Sequence, residues 1–133
     1  MANVLNSAFT GKSAIPRRVL ANLRAQVSWV DNSSGERISL FGTTENVGET
    51  SALINLEVLP TVGADVNLSL FDDDKPIIET LTTVIRVERD PGKPQVALSV
   101  VKNLKKWQED ALTAAQNWVS RNLRLNYEEE WAN

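Results

Sequence analysis

The sequence predicts an all-β fold, a six-stranded antiparallel β-barrel with a C-terminal α-helix. Three observations predict it. Between residues 23 and 101, apolar and polar side chains alternate with a period of two. Turn-forming clusters interrupt that alternation about every ten residues. After Val101 the period changes to three and four, the spacing of a helix face.

Residues 1–15 precede the alternation and are expected to form a flexible arm, with the barrel spanning 16–103. LRAQVSWV (23–30) sets Leu23, Ala25, Val27 and Trp29 against Arg24, Gln26 and Ser28, and ERISLFG (36–42) repeats the pattern less cleanly. ALINLEVL (52–59) and DVNLSLF (65–71) follow, then IETLTTVIRVE (78–88) and QVALSVV (95–101). Their alternation and β-branched residues suit a pleated, half-buried surface. Asp31-Asn32-Ser33-Ser34-Gly35, residues 60–63, residues 72–76 and Asp90-Pro91-Gly92-Lys93 read as turns. There Pro and Gly set the torsions, and Asp and Asn accept local hydrogen bonds. Six antiparallel strands on short connections close most simply into a barrel, which leaves no exposed edge.

Leu104, Trp107, Gln108, Ala111, Ala115, Trp118, Val119 and Asn122 fall on one helical face, with Lys105, Lys106, Glu109, Asp110 and Arg121 largely on the other. The stretch lacks Gly and Pro, so a helix is expected over about 104–123, or 104–125 at its longest. Its apolar stripe is expected to pack on the barrel's open end or outer wall. A solvated acidic tail, 126–133, with Glu128, Glu129 and Glu130 in a row, is expected to follow.

The composition narrows the chemistry. A chain of 133 residues suits one domain, and it contains neither Cys nor His. That excludes disulfides, thiolate nucleophiles, Ser-His-Asp triads and imidazole metal ligands. Asp72, Asp73 and Asp74 lack the spaced ligands of a calcium loop and read as an acidic turn. Thr10-Gly11-Lys12-Ser13 lacks the upstream glycine of a phosphate-binding loop. A binding module without a metal or resident cofactor is therefore favoured over an enzyme. No stretch reaches the roughly 20 apolar residues of a membrane span, and no signal peptide is visible, so a cytoplasmic location is expected. Net charge is −3, but residues 1–30 carry Lys12, Arg17, Arg18 and Arg24 and no acid, so this end can meet an anion.

Pro16-Arg17-Arg18 lies just before the first strand, and Thr44-Glu45-Asn46-Val47-Gly48-Glu49-Thr50-Ser51-Ala52-Leu53-Ile54 spans the passage from the second strand to the third. To these are added residues 62–68, Val84-Ile85-Arg86-Val87-Glu88, Val96-Ala97-Leu98-Ser99-Val100 and the trailing helix. In their order and spacing they resemble a PilZ domain, the bacterial receptor module for cyclic di-GMP, over about 16–103. The resemblance implies a six-stranded PilZ-type barrel that works by ligand-dependent binding rather than catalysis. It also implies a site made by an R-x-x-x-R arm and a [D/N]-x-S-x-x-G loop. Cyclic di-GMP offers two phosphates and two guanines, and an arginine fork can pair with phosphate oxygens or with guanine O6 and N7.

Carried onto this sequence, the resemblance implies a ligand site of Arg17, Arg18, Asn46, Gly48 and Ser51. Arg18 fits the second arginine of the arm, but Ala14 stands where the first would be. Asn46 fits the loop's first position, whereas Gly48 stands where Ser is expected and Ser51 where Gly is expected. Two readings follow. The chain is a cyclic di-GMP receptor with rearranged contacts, in which Arg17, Arg18 and Arg24 cover for the missing arginine. Alternatively it is a degenerate PilZ adaptor that does not bind cyclic di-GMP and meets a protein partner through the barrel face or the helix. Neither calls for a nucleic acid polymer, and a monomer or weak dimer is expected.

Overall fold

The computed structural model of the protein describes residues 18–132, and the side chains of 18–123. Each of the six alternating runs forms a strand: β2 (Arg24–Val30), β3 (Arg37–Gly48), β4 (Ser51–Asn55), β5 (Asp65–Asp72), β6 (Lys75–Glu88) and β7 (Gln95–Val100). A further two-residue strand, β1 (Arg18–Val19), pairs with the end of β3. The strands run antiparallel in the order β3-β2-β5-β6-β7-β4, and β4 pairs back onto β3, so the sheet closes into a six-stranded barrel. Period-two alternation sends one face inward: Ala25, Val27 and Trp29 from β2, Val66, Leu68 and Leu70 from β5, and Ile54, Val84, Val96 and Leu98 from the others are buried. Each large aliphatic side chain buried in this way contributes about 1.5–3 kcal/mol, which makes this interior the main source of stability.

Three boundaries differ from the sequence expectation. First, β3 continues to Gly48, and only Glu49 and Thr50 separate it from β4. The expected loop is thus a tight hairpin with its motif residues on strands. Second, the run through residues 52–59 leaves the sheet after Asn55, where the Leu56 N–H still donates to the Pro94 carbonyl (3.2 Å) but the proline has no N–H to return the bond. A Cβ on Gly42 would stand 2.0 Å from the Asn55 carbonyl oxygen, so the close backbone approach here requires glycine. Third, β5 and β6 reach to Asp72 and Lys75, leaving Asp73 and Asp74 as the turn. Asp73 sits in the left-handed region (φ 59), which short polar side chains tolerate.

Asn103, also left-handed (φ 57), turns the chain into a helix built of α1 (Leu104–Lys106), a π-helical turn (Trp107–Ala111) and α2 (Leu112–Ala132). The helix therefore extends past 123–125, and the acidic run 128–130, expected in a separate tail, lies within it. Across the wide π turn Trp107, Ala111, Leu112, Ala114 and Ala115 are buried, while Leu104, expected on that face, is exposed at the helix start. Trp107 is fully buried in the barrel core and seats the helix there, with Trp118 and Val119 packed against its margin.

Candidate functional site

The segment after β1 is pinned by one buried threonine. The Thr44 hydroxyl accepts from the Leu23 N–H (2.8 Å) and donates to the Ala21 carbonyl, and the Thr44 N–H donates to the Leu23 carbonyl (2.8 Å). With this anchor, β1 lies along the end of β3 and places Arg18 opposite Gly48. The register of β3 against β4 shifts between Thr44 and Asn46, with Glu45 the extra residue. Such a bulge bends the strand and re-aims its side chains.

The Arg18 guanidinium is held at both tips. Its Nη1 donates to Asn46 Oδ1 (2.8 Å) and its Nη2 to Ser51 Oγ (2.9 Å). Neither of those partners carries charge. Gly48 makes room for this arrangement, because a Cβ there would come within 3.1 Å of Arg18 Nη1 and 3.4 Å of its Cζ. The hydroxyl that the resemblance expects at position 48 is thus supplied from 51, and the small residue expected at 51 stands at 48. Arg18, Asn46, Ser51, Leu53, Arg86 and Ala97 line a shallow pocket of about 100 Å³.

The back of the same hairpin is tied to the helix. A buried indole N–H requires an acceptor, and that of Trp107 donates to the Gly48 carbonyl (2.9 Å). One residue on, Gln108 Nε2 donates to the Glu49 carbonyl (3.1 Å). The hairpin that carries the candidate site therefore rests on the helix's first turns. Beside it, the bulged Glu45 meets Lys93 (2.9 Å), and that hydrogen bond is the main cause holding its carboxyl below the ordinary value.

Of the residues expected to form the site, Arg18, Asn46, Gly48 and Ser51 come together, and Arg17 lies outside the described residues, as does Ala14. Arg24 does not join them. It lies over the Phe41 ring (4.2 Å) and reaches Asp74 (3.4 Å), lining a separate groove of about 870 Å³ between barrel and helix. In that groove Arg121 forms a two-point pair with Asp72 (2.7 and 3.1 Å), which raises the pKa of the arginine. The sequence marks Arg86 only as part of a strand. Its place in the pocket depends on pairings across β6, β7 and β4, which no local pattern reveals. Among the described residues, no group of three or more acidic, Cys or His side chains could hold a metal ion, and no helix is long and apolar enough to cross a membrane.

No family model matches the sequence, nor does any curated protein. Solved structures do match. The PilZ domain of YcgR from Escherichia coli, solved with c-di-GMP, superposes with a TM-score of 0.60 at 11% identity, covering 85% of this chain and 95% of that one. The fold is that of a PilZ domain. The Bacillus subtilis inhibitor of motility MotI/DgrA has a TM-score of 0.55 at 17% identity over 82% of this chain. YcgR in complex with c-di-GMP gives 0.52 at 9% identity over 88%. The chain spans about half the length of these last two, 51% and 47% respectively. This PilZ barrel also carries the extra strand β1 and a helix seated by Trp107.

Proposed function

We propose that this PilZ-type protein is a receptor for cyclic di-GMP that acts by ligand-dependent binding, without catalysis, in the bacterial cytoplasm. The observation that carries the reading is the Arg18 fork, held by Asn46 and Ser51 at the mouth of a polar pocket. Two neutral acceptors orient the guanidinium without neutralising it, so its charge remains available to a phosphate. The matching YcgR barrel, solved with c-di-GMP, supports the same ligand class. Protein partners would then read the occupied state through the barrel face or the helix that rests against the hairpin.

Titration calorimetry with cyclic di-GMP at low and physiological salt tests this. Arg18→Ala is expected to weaken binding by roughly 1–3 kcal/mol, the worth of one bidentate contact. Lys105→Ala, on an exposed residue at the helix start, leaves affinity unchanged. Absence of heat and of any thermal shift at about 1 mM ligand would sink the receptor reading.

A second reading, the adaptor that binds no cyclic di-GMP, draws on the same geometry. Both tips of the Arg18 fork already have partners within the chain, so a ligand must compete with Asn46 and Ser51 for them. The same titration separates the two, since the adaptor gives no heat while still capturing its partner.

A further inference from the structure

Paired residues form a single row across four strands of the barrel's outer face. Asn46 on β3 lies opposite Leu53 on β4, Leu53 opposite Ala97 on β7, and Ala97 opposite Arg86 on β6. Directly opposed residues project from the same face of a sheet, so these four side chains share one surface. Strands lie about 4.8 Å apart, which makes the row about 14 Å long. Arg18 stands at its β3 end, through Asn46, and Arg86 at its β6 end, with the apolar Leu53 and Ala97 between. A second bulge, between Val84 and Arg86, sets the register that brings Arg86 opposite Ala97.

We propose that Arg86 gives the ligand site the arginine that the arm lacks and engages cyclic di-GMP from the end of the row opposite Arg18. This rests on the receptor reading given above. The arm has alanine at position 14 and cannot supply the first arginine of an R-x-x-x-R motif, whereas β6 supplies a guanidinium on the same surface from a different direction. Arg86 is more than half exposed, and its hydrogen-bonded partner is Glu88, two residues along the same strand and somewhat less open to solvent. An exposed pair of this kind is weak and exchangeable. Glu88 thus parks the guanidinium in the free protein and yields it to a phosphate oxygen or a guanine O6 and N7 edge, both of which accept from a planar fork. Leu53 and Ala97 offer an apolar floor on which a base face can rest between the two arginines.

The test compares cyclic di-GMP titrations of the intact protein and of Arg86→Ala, Arg86→Lys and Glu88→Gln, with thermal unfolding of each as a check on folding. Arg86→Ala is expected to weaken binding roughly ten- to a hundredfold with an unchanged melting temperature. Arg86→Lys, which keeps charge but loses the fork, should fall between it and the intact protein. Glu88→Gln, which removes the internal competitor, should bind about two- to fivefold more tightly. Binding by the intact protein, lost in Arg18→Ala but unchanged in Arg86→Ala, overturns the role of Arg86 and leaves the receptor reading standing. No binding by the intact protein overturns both.

Discussion

Arg18 and Arg121 make the same kind of contact for different ends. Each guanidinium is held by two hydrogen bonds from its two terminal nitrogens. Arg18 reaches an amide oxygen and a hydroxyl, at 2.8 and 2.9 Å, while Arg121 reaches both oxygens of the Asp72 carboxylate, at 3.1 and 2.7 Å. In the groove, Arg24 is likewise paired with a carboxylate, that of Asp74. The groove is much larger than the pocket, yet its Arg121 is held in a two-point pair that clasps the helix to Asp72 at the end of β5, while the Arg24–Asp74 pair is single and exposed. The smaller pocket holds a guanidinium oriented by neutral neighbours, which is the better receiver for an anion. Under the receptor reading, the neutral partners of Arg18, rather than volume, favour the pocket.

The largest expected effect breaks the support beneath the site. Trp107 fills the core and bonds the Gly48 carbonyl, so Trp107→Ala should lower unfolding free energy by about 3–5 kcal/mol in urea titrations. Trp107→Phe keeps most of the packing but orphans that carbonyl, at a cost of about 1–3 kcal/mol. A loss in Trp107→Ala no larger than the ~0.5 kcal/mol of an ordinary surface change would mean that the hairpin does not depend on the helix.

A finer test alters what orients Arg18. A Cβ at Gly48 meets the far end of a flexible arginine, so Gly48→Ser should leave stability within about 0.5 kcal/mol while turning the guanidinium aside. Calorimetry should show weaker cyclic di-GMP binding for Gly48→Ser and recovery in the Gly48→Ser, Ser51→Gly double variant, which restores the motif order. Equal affinity in all three proteins would show that the exchange of these two residues is immaterial.

The groove should respond to salt rather than to ligand. Asp72→Asn removes the charge opposite Arg121 and should lower the melting temperature slightly at low ionic strength, the difference shrinking as salt screens the pair. Ligand affinity should not change, and a loss comparable with that of Arg18→Ala would move the site to the groove. The smallest effect concerns pH. Lys93, by its hydrogen bond, depresses the Glu45 pKa below the usual 4.5, so the pair contributes stability above pH 4.5 that is lost as the pH falls through the lower folded value. Urea midpoints measured from pH 6 down to about pH 3 should therefore drop less steeply for Glu45→Gln than for the unaltered protein.

Much of the fold was legible because its determinants are local. Alternation in 23–30 and 65–71 marks residues that must all face one side, and Asp90-Pro91-Gly92 cannot continue a strand. Local patterns misled where pairing with a remote segment sets an element's bounds. The β3 strand extends through Gly48 because β1 and β4 both pair with it there, and the π turn over Trp107–Ala111 has no sequence signature. In the candidate site, Arg18, Asn46, Gly48 and Ser51 could be named from the resemblance alone, but that Ser51 bonds the Arg18 guanidinium while Gly48 leaves it room required coordinates. Arg24 looked equally eligible by charge and proximity in sequence, and it faces another groove.

Periodicity, turn chemistry and the absence of Cys and His were enough to specify a β-barrel with a trailing helix and to exclude chemistry that needs a thiolate or an imidazole, since each depends on near neighbours or on inventory. Which arginines share a surface was decided only by closure of the barrel. A period of two assigns each side chain to a face but says nothing about its opposite number on the next strand. That register comes from the pairing of β3 with β4, β4 with β7 and β7 with β6, and from the two bulges that offset it. Arg18 and Arg86, remote in the chain, meet on one pocket for that reason, while Arg18 and Arg24, only a few residues apart, do not.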